Sequence, residues 1–495
     1  MVDQGNTSTL SNPQLAGSGD LAGPTWANRI VTLYLLALLL PFILQLGGLR
    51  LSAYRILLLF ATVPLLVLWL RGEAGEKRVA DFAILGLCLW SVISFLVLHG
   101  PQVAVEAGGI FFVETAGAFL LGRCLVRTPG QFLTVARTLF FIVMLLMPFA
   151  IIEALTGRNI PLETMDKLWP SYDRVIKEPR WGMQRVQATF EHPILFGMFC
   201  GSVIGLAYMV VGHGRGLAKR LGLALATFFT AGFSLSSGPL TGMVTQLLMI
   251  SWDSVLRNVK ARWKILAVLT ALAYAVIEIG SNRPASAVFI SYFSFNEYSA
   301  YLRLHIWNFG MANVLEHPIF GLGFNDWERP YWLGASVDMF WIVFAMRHGF
   351  PAMFFTLLAF FAAYVPLWRK RDLSERVSNY RLGALFSLTA WFMTGWTVHF
   401  WNGTYVLFLF LIGSSLWVLD AKTEDDAATD DPDAEKGTPR TIRYSRFAPI
   451  SKSSEHPLRG LDRAQRSSVS SRDDVKLLRR SPFAQEPPGA VRSKK

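Results

Sequence analysis

Residues 132–155 read FLTVARTLFFIVMLLMPFAIIEAL, with no charge between Arg137 and Glu153. A bilayer's hydrocarbon core is crossed by about 17 to 25 mostly apolar residues, and this run meets that requirement. Eleven further segments read the same way or nearly so: 30–47, 54–70, 80–98, 105–122, 193–212, 221–235, 239–252, 263–281, 350–368, 382–399 and 404–419. The expected fold is therefore an all-α polytopic membrane protein of about 12 transmembrane helices.

Composition supports that class. The 495 residues are 52% hydrophobic and 17% charged, with a mean hydropathy of +0.37. Of the charges, 16 Lys/Arg and 12 Asp/Glu fall in residues 421–495, so the first 420 residues are far poorer in charge than a soluble chain. The formal charge of +12 does not point to nucleic acid, because most cations in the apolar part flank spans instead of covering one soluble face. Cys88, Cys124 and Cys200 each lie in an apolar stretch without paired spacing or a His cluster, so they read as packing residues.

Lys and Arg are retained on the cytoplasmic side of short connections. The stretches 71–79, 123–131, 213–220, 253–264 and 368–381 hold 3, 2, 3, 4 and 5 of them, whereas 48–55, 99–104, 236–238 and 400–403 hold 2, 0, 0 and 0. Both termini are thus expected in the cytoplasm, with the long connections 156–192 and 282–338 outside it. Residues 1–29 read as an uncleaved N-terminal tail, 30–420 as the transmembrane domain, and 421–495 as a disordered cytoplasmic tail. From 436 onward that tail carries 15 basic and 5 acidic residues, a composition also suited to anionic lipid.

Three external features carry candidate chemistry. The first long loop ends in Arg185-Val-Gln-Ala-Thr-Phe-Glu191-His192-Pro193, which places a cation and an imidazole at the mouth of a span. The short pair of spans around Ser234-Leu-Ser-Ser-Gly-Pro239 puts a helix break below the membrane surface, where irregular backbone is tolerated if it lines a wet cavity. The second long loop contains Arg303-Leu-His-Ile-Trp307, four residues apart and so on one helix face, a pairing suited to a phosphate and a sugar ring. It continues with Glu316-His317-Pro-Ile-Phe-Gly-Leu-Gly-Phe324 and ends at Asp338. Asp338, Arg347 and His348 bracket a run too short to span, and Gly349-Phe350-Pro351 should break the helix there. Within the spans Glu114 is the deepest ionisable residue, read as neutral and hydrogen-bonded between helices. The sequence holds no Walker loop, GxSxG elbow, HExxH or zinc-like Cys/His set, and Asp425-Asp426 lies in the tail.

Taken in order and at these intervals, RVQATFEHPILF, the Ser-Ser-Gly-Pro break, the Arg303/Trp307 pair with HPIFGLGF, and DMFWIVFAMRHGFPAMFF resemble the O-antigen ligase and polysaccharide polymerase superfamily. The likeness covers roughly residues 180–365. It implies a type C glycosyltransferase of the bacterial inner membrane, needing no metal or cofactor, which moves a glycan from undecaprenyl pyrophosphate to a sugar hydroxyl at the periplasmic face. The implied partners are that lipid-linked donor, a saccharide acceptor, the bilayer and a possible chain-length regulator.

The same resemblance gives Arg185 and Arg303 the pyrophosphate, with Trp307 and Arg347 as further substrate contacts. Asp338 is the chosen candidate proton acceptor, with Glu191, His192 and His317 as competitors. Two departures matter. Ser236-Ser237-Gly238 stands where many members read Ser-Arg-Gly, and Asp338-Met339 stands where ligases commonly have His-Asn, which favours a capsule, exopolysaccharide or O-antigen polymerase over a lipopolysaccharide ligase. A multi-pass transporter or flippase of lipid-linked oligosaccharide is the alternative, although its usual long cytoplasmic connection between spans six and seven is absent.

Overall fold

The computed structural model describes residues 24–46, 49–282, 288 and 297–421. The N-terminal tail up to residue 23, parts of the second long loop (283–287 and 289–296) and residues 422–495, with the expected disorder and Asp425-Asp426, lie outside the described residues.

The chain begins with α1 (Thr25–Ala37), where the sequence led us to expect a span over 30–47; instead, residues 38–42 leave the helix and a hairpin follows, β1 (Ile43–Leu46) against antiparallel β2 (Leu49–Ser52). Pro41 brings no backbone donor, and β2 alternates leucine with a polar residue (Leu49, Arg50, Leu51, Ser52) as a two-faced ribbon does. The hairpin is tied to the first long loop: Ile43 N donates to Pro170 O (3.0 Å) and Trp169 Nε1 to Ile43 O (3.3 Å).

Helix α2 (Ala53–Leu70) leads into α3 (Val79–Phe112), a π-helical turn (Val113–Gly117) and α4 (Ala118–Leu125). These last three form two antiparallel limbs, because Gly100 adopts φ 81° and the chain turns back: Arg123 Nε lies 3.2 Å from Asp81 Oδ1, where a straight helix would separate the two by about 60 Å. Helix α5 (Pro129–Thr156) contains the opening stretch. A Thr128/Gln131 capping box with Pro129 starts it, and left-handed Gly157 stops it.

The first long loop holds the short α6 (Ile160–Met165). Then come α7 (Pro193–Gly201), α8 (Ile204–Leu206), α9 (Leu217–Gly232), α10 (Ser237–Val255) and α11 (Arg262–Gly280). No residue of α11 is buried. Helix α12 (Glu297–Glu316) packs on the start of α13 (Phe340–Arg369), and α14 (Glu375–Thr394) and α15 (Asn402–Ser415) complete the bundle. As expected, α13 breaks at Gly349 (φ 80°) and doubles back, since Trp341 and Phe360 have ring centroids 5.8 Å apart instead of the roughly 28 Å of a straight helix. The two turns meet: His348 Nδ1 is 3.2 Å from Ser94 Oγ, and Trp90 Nε1 donates to His348 O at 2.9 Å.

Among the described residues, seven helical stretches are long and apolar enough to cross a membrane. The basic connections gather at one end of the bundle. Arg123 donates to the carbonyls of Ala74 and Glu76, Arg127 to that of Glu73, and Lys370 Nζ to Leu419 O (3.0 Å); Asn379 meets His213 (3.1 Å) and Arg257 meets Glu375 (2.8 Å). Cys88 and Cys200 are buried and Cys124 half-buried, all free thiols.

Candidate functional site

At the opposite end, three separate connections converge. The first is 177–192, which is folded by a buried carboxylate. Glu153 Oε1 accepts from Gln187 N (3.1 Å) and Asn159 Nδ2 (3.1 Å), and Oε2 accepts from Ala188 N (2.9 Å). Those bonds hold Ala188 at φ 50°, a conformation that costs a residue with a Cβ free energy. The chain then enters α7 through His192, whose Nδ1 accepts from Ile194 N at 3.1 Å and so caps the helix.

The second connection is the expected break between α9 and α10. Ser234, Ser236 and Ser237 are buried, Leu235 sits at φ 46°, and the carbonyls freed by the break are taken by arginines. Arg180 Nη1 donates to Leu235 O (2.5 Å), while Arg185 Nε reaches Ser234 O (3.4 Å) and its Nη2 donates to Ser236 Oγ (2.7 Å). The third is 395–401 between α14 and α15. Arg303 of α12 donates from Nε to Thr397 O (2.9 Å), and Phe340 N lies within reach of Gly395 O (2.8 Å) and Val398 O (3.1 Å).

Together they enclose a cavity of about 440 Å³ whose walls include Lys177, Arg180, Arg185, His192, Arg303 and Asp338, with Ser236, Ser237 and Gly238 at the N-terminus of α10. Asp338 is the one acidic residue on that wall among the described residues. Its Oδ1 accepts from Ser336 Oγ (2.7 Å), and Oδ2 has no hydrogen-bond partner among the described residues. The cations feel one another. Burial, then Arg180, push the Arg185 guanidinium down to about 10; Arg303 is also lowered, mainly by burial, with Asp338 opposing. Burial followed by Lys177 and Arg185 lowers His192 to about 4, so its imidazole is neutral at pH 7. Accumulated positive charge at a helix N-terminus is a site for an anion.

A second cavity, about 320 Å³, adjoins the first through His399 and Trp401. Its walls are mostly aromatic, with Phe95, Phe111, Phe344 and Tyr405 among them, and Arg347 stands at its edge. His399 lies on the walls of both cavities and of a third lined by Arg347 and Asn325. The imidazole is held between Phe340 (6.1 Å between centroids) and Trp401 (5.8 Å), and its buried Nδ1 has no hydrogen-bond partner among the described residues. Burial and then Arg347 drive it down to about 3. A buried unpartnered ring nitrogen is costly unless something uses it.

Of the residues expected from the sequence, the cavity therefore brings together Arg185, Arg303, His192 and Asp338. Arg347 lies in the adjoining cavities. Trp307 is turned away and packs on Trp396, 6.1 Å between centroids, and His317 is exposed at the end of α12 outside these walls. Glu114 accepts from Arg55 Nε (2.7 Å) and Tyr54 Oη (3.1 Å): it is bonded between helices as expected, but in an ion pair with Arg55, which the neutral reading did not include. Sequence reasoning missed Lys177, Arg180 and His399. The first two had a signal, standing in the same loop as Arg185; His399 had none, being the terminal residue of an expected span. No family model matches the chain, and no curated protein matches it.

Proposed function

We propose that this protein is a bacterial inner-membrane glycosyltransferase of the polysaccharide polymerase kind, moving a glycan from undecaprenyl pyrophosphate to a sugar hydroxyl at the periplasmic face. The observation that carries the reading is the convergence of Lys177, Arg180, Arg185 and Arg303 on one cavity beside an aromatic one. A lipid pyrophosphate has that pair of properties: a compact multiple anion joined to an apolar chain.

In this reading the phosphates lie among the guanidinium groups and the α10 N-terminus, and the isoprenoid runs along Phe95, Phe111 and Phe344. When the bond between anomeric carbon and pyrophosphate oxygen breaks, negative charge grows on the leaving group. Guanidinium groups already fixed by the Ser234, Leu235 and Thr397 carbonyls stabilise it with little reorganisation. The acceptor hydroxyl forms the new bond to the anomeric carbon and gives its proton to a base. Asp338 is our choice, through its free oxygen; His399 is the second candidate, neutral and with an unused ring nitrogen.

Two experiments test this. Purified protein given undecaprenyl-pyrophosphate oligosaccharide and a free oligosaccharide acceptor should lengthen the acceptor and release undecaprenyl pyrophosphate; movement of intact donor across vesicles without transfer would favour a flippase. Alkaline phosphatase fused near Lys167 or Asn325 should be active, and near Arg262 or Arg376 inactive. The reverse pattern would remove the periplasmic site.

A further inference from the structure

A fourth cavity, about 520 Å³, is left unused by the proposed chemistry. It lies between the β1–β2 hairpin and residues 171–175 of the first long loop, with the start of α2 and Asn402 behind them. Its size is that of a small-molecule site. Its charge differs from that of the cationic cavity: Arg50 and Arg55 on its walls are balanced by Asp173 and Glu191. A phosphate entering it would meet two carboxylates.

The back wall is already satisfied. Glu191 accepts from Trp401 Nε1 (2.7 Å) and from Asn402 Nδ2 on both oxygens (2.6 Å each); Asn402 Oδ1 accepts from Arg55 Nη2 (2.9 Å). Arg55 is in turn bound to Glu114. This network holds Asn402 at φ 50° and separates the chamber from the aromatic cavity, since Arg55 and Asn402 belong to both. Trp401, which grips Glu191, also lines the cationic cavity.

The front is the opposite. The Arg50 guanidinium, the Asp173 carboxylate and the Tyr172 hydroxyl have no hydrogen-bond partner among the described residues. They present a fork of donors, an acceptor pair and a group that is either. Such a mixture, with no excess charge, matches a ligand dense in hydroxyls that donate and accept alike.

We propose that this chamber binds a neutral saccharide, the acceptor end of the growing glycan, and delivers it across the Glu191–Trp401–Asn402 wall to the cationic cavity. The assignment of acceptor rests on the transferase reading; the saccharide site itself does not. Arg50, Tyr172 and Asp173 orient hydroxyls, while the wall sets the distance to the donor.

The test uses the full chain in detergent against a printed array of neutral and of carboxylated or sulfated bacterial oligosaccharides, with undecaprenyl pyrophosphate titrated separately. Wild type should bind neutral saccharides. Arg50→Ala, Tyr172→Phe and Asp173→Asn should each weaken that binding about 3- to 30-fold and leave undecaprenyl pyrophosphate binding unchanged, whereas Arg185→Ala should do the reverse. Saccharide binding that all three variants retain, no saccharide binding at all, or a preference for the anionic spots would overturn the proposal. Loss of the lipid pyrophosphate interaction in wild type, with neutral saccharide binding intact and sensitive to Arg50→Ala, would instead sink the transferase reading and leave the saccharide site standing.

Discussion

The two ends of the bundle use arginine in opposite ways. At one end Arg123 is 1% exposed and paired with an equally buried Asp81, Arg78 meets Asp420, and Arg262 lies 2.8 Å from Asp253. At the other, Lys177, Arg180, Arg185 and Arg303 surround a cavity with one acidic residue on its wall. There Arg180, Arg185 and Arg303 donate to backbone carbonyls, which help to fix their positions. One end uses its cations to close loops, and the other gathers them around a cavity.

The largest expected effect separates stability from function. Asp81→Ala strands a buried guanidinium and should cost about 3 to 5 kcal/mol, seen as a much lower melting temperature in detergent or as loss of folded protein. Arg185→Ala should leave melting within a few degrees. If the two variants melted alike, the contrast between the ends would fail.

Next in size is the proton acceptor. Asp338→Asn should keep its fold and donor binding and lose roughly 100-fold of transfer, the usual scale of acid–base contributions. Full activity in that variant, with loss in His399→Gln, would move the role to His399. A His317→Ala variant should transfer normally, because His317 lies on the surface away from the cavity.

A smaller effect is expected with pH. His192 is lowered from its ordinary 6.5 to about 4 by burial and the cations beside it, so between these values the unfolded chain binds more protons. Stability contributed by neutral His192 is therefore present above about 6.5 and is lost as pH falls towards 4. Melting temperatures of wild type should fall across that window, and His192→Gln should flatten part of the slope. An identical slope in the variant would show that the imidazole is not held neutral.

The smallest effect belongs to Arg257 and Glu375, an ion pair about two-thirds exposed at both partners. Arg257→Ala should leave melting unchanged, since exposed pairs contribute little. A clear loss would mean that surface pairs, too, lock the basic end.

The basic end was legible because its signal is local: each cation stands beside its own apolar run. The turns at Gly349 and within Ser234–Pro239 were legible for the same reason, glycine and proline interrupting short runs. The hairpin was not, because Leu38–Leu46 is as apolar as a span, and its strand form comes from the ladder with β2 and from bonds to Trp169 and Pro170, more than a hundred residues away. At the site, Arg185, Arg303 and Asp338 could be named from the pattern, but not that Trp307 turns towards Trp396, since residues four apart on a helix share a face without facing the same neighbour. His399 depended wholly on tertiary contacts with Phe340 and Trp401.

The central claim, that the cationic cavity is built for a lipid pyrophosphate, is tested most directly by titrating undecaprenyl pyrophosphate and undecaprenyl monophosphate against the protein in nanodiscs. Wild type should prefer the pyrophosphate by at least about tenfold, Arg185→Ala and Arg303→Ala should each remove most of that preference, and Arg303→Lys should not fully restore it, because an ammonium cannot engage two oxygens as a planar fork does. Equal affinity for the two lipids in wild type, or an undiminished preference in both alanine variants, would contradict the account.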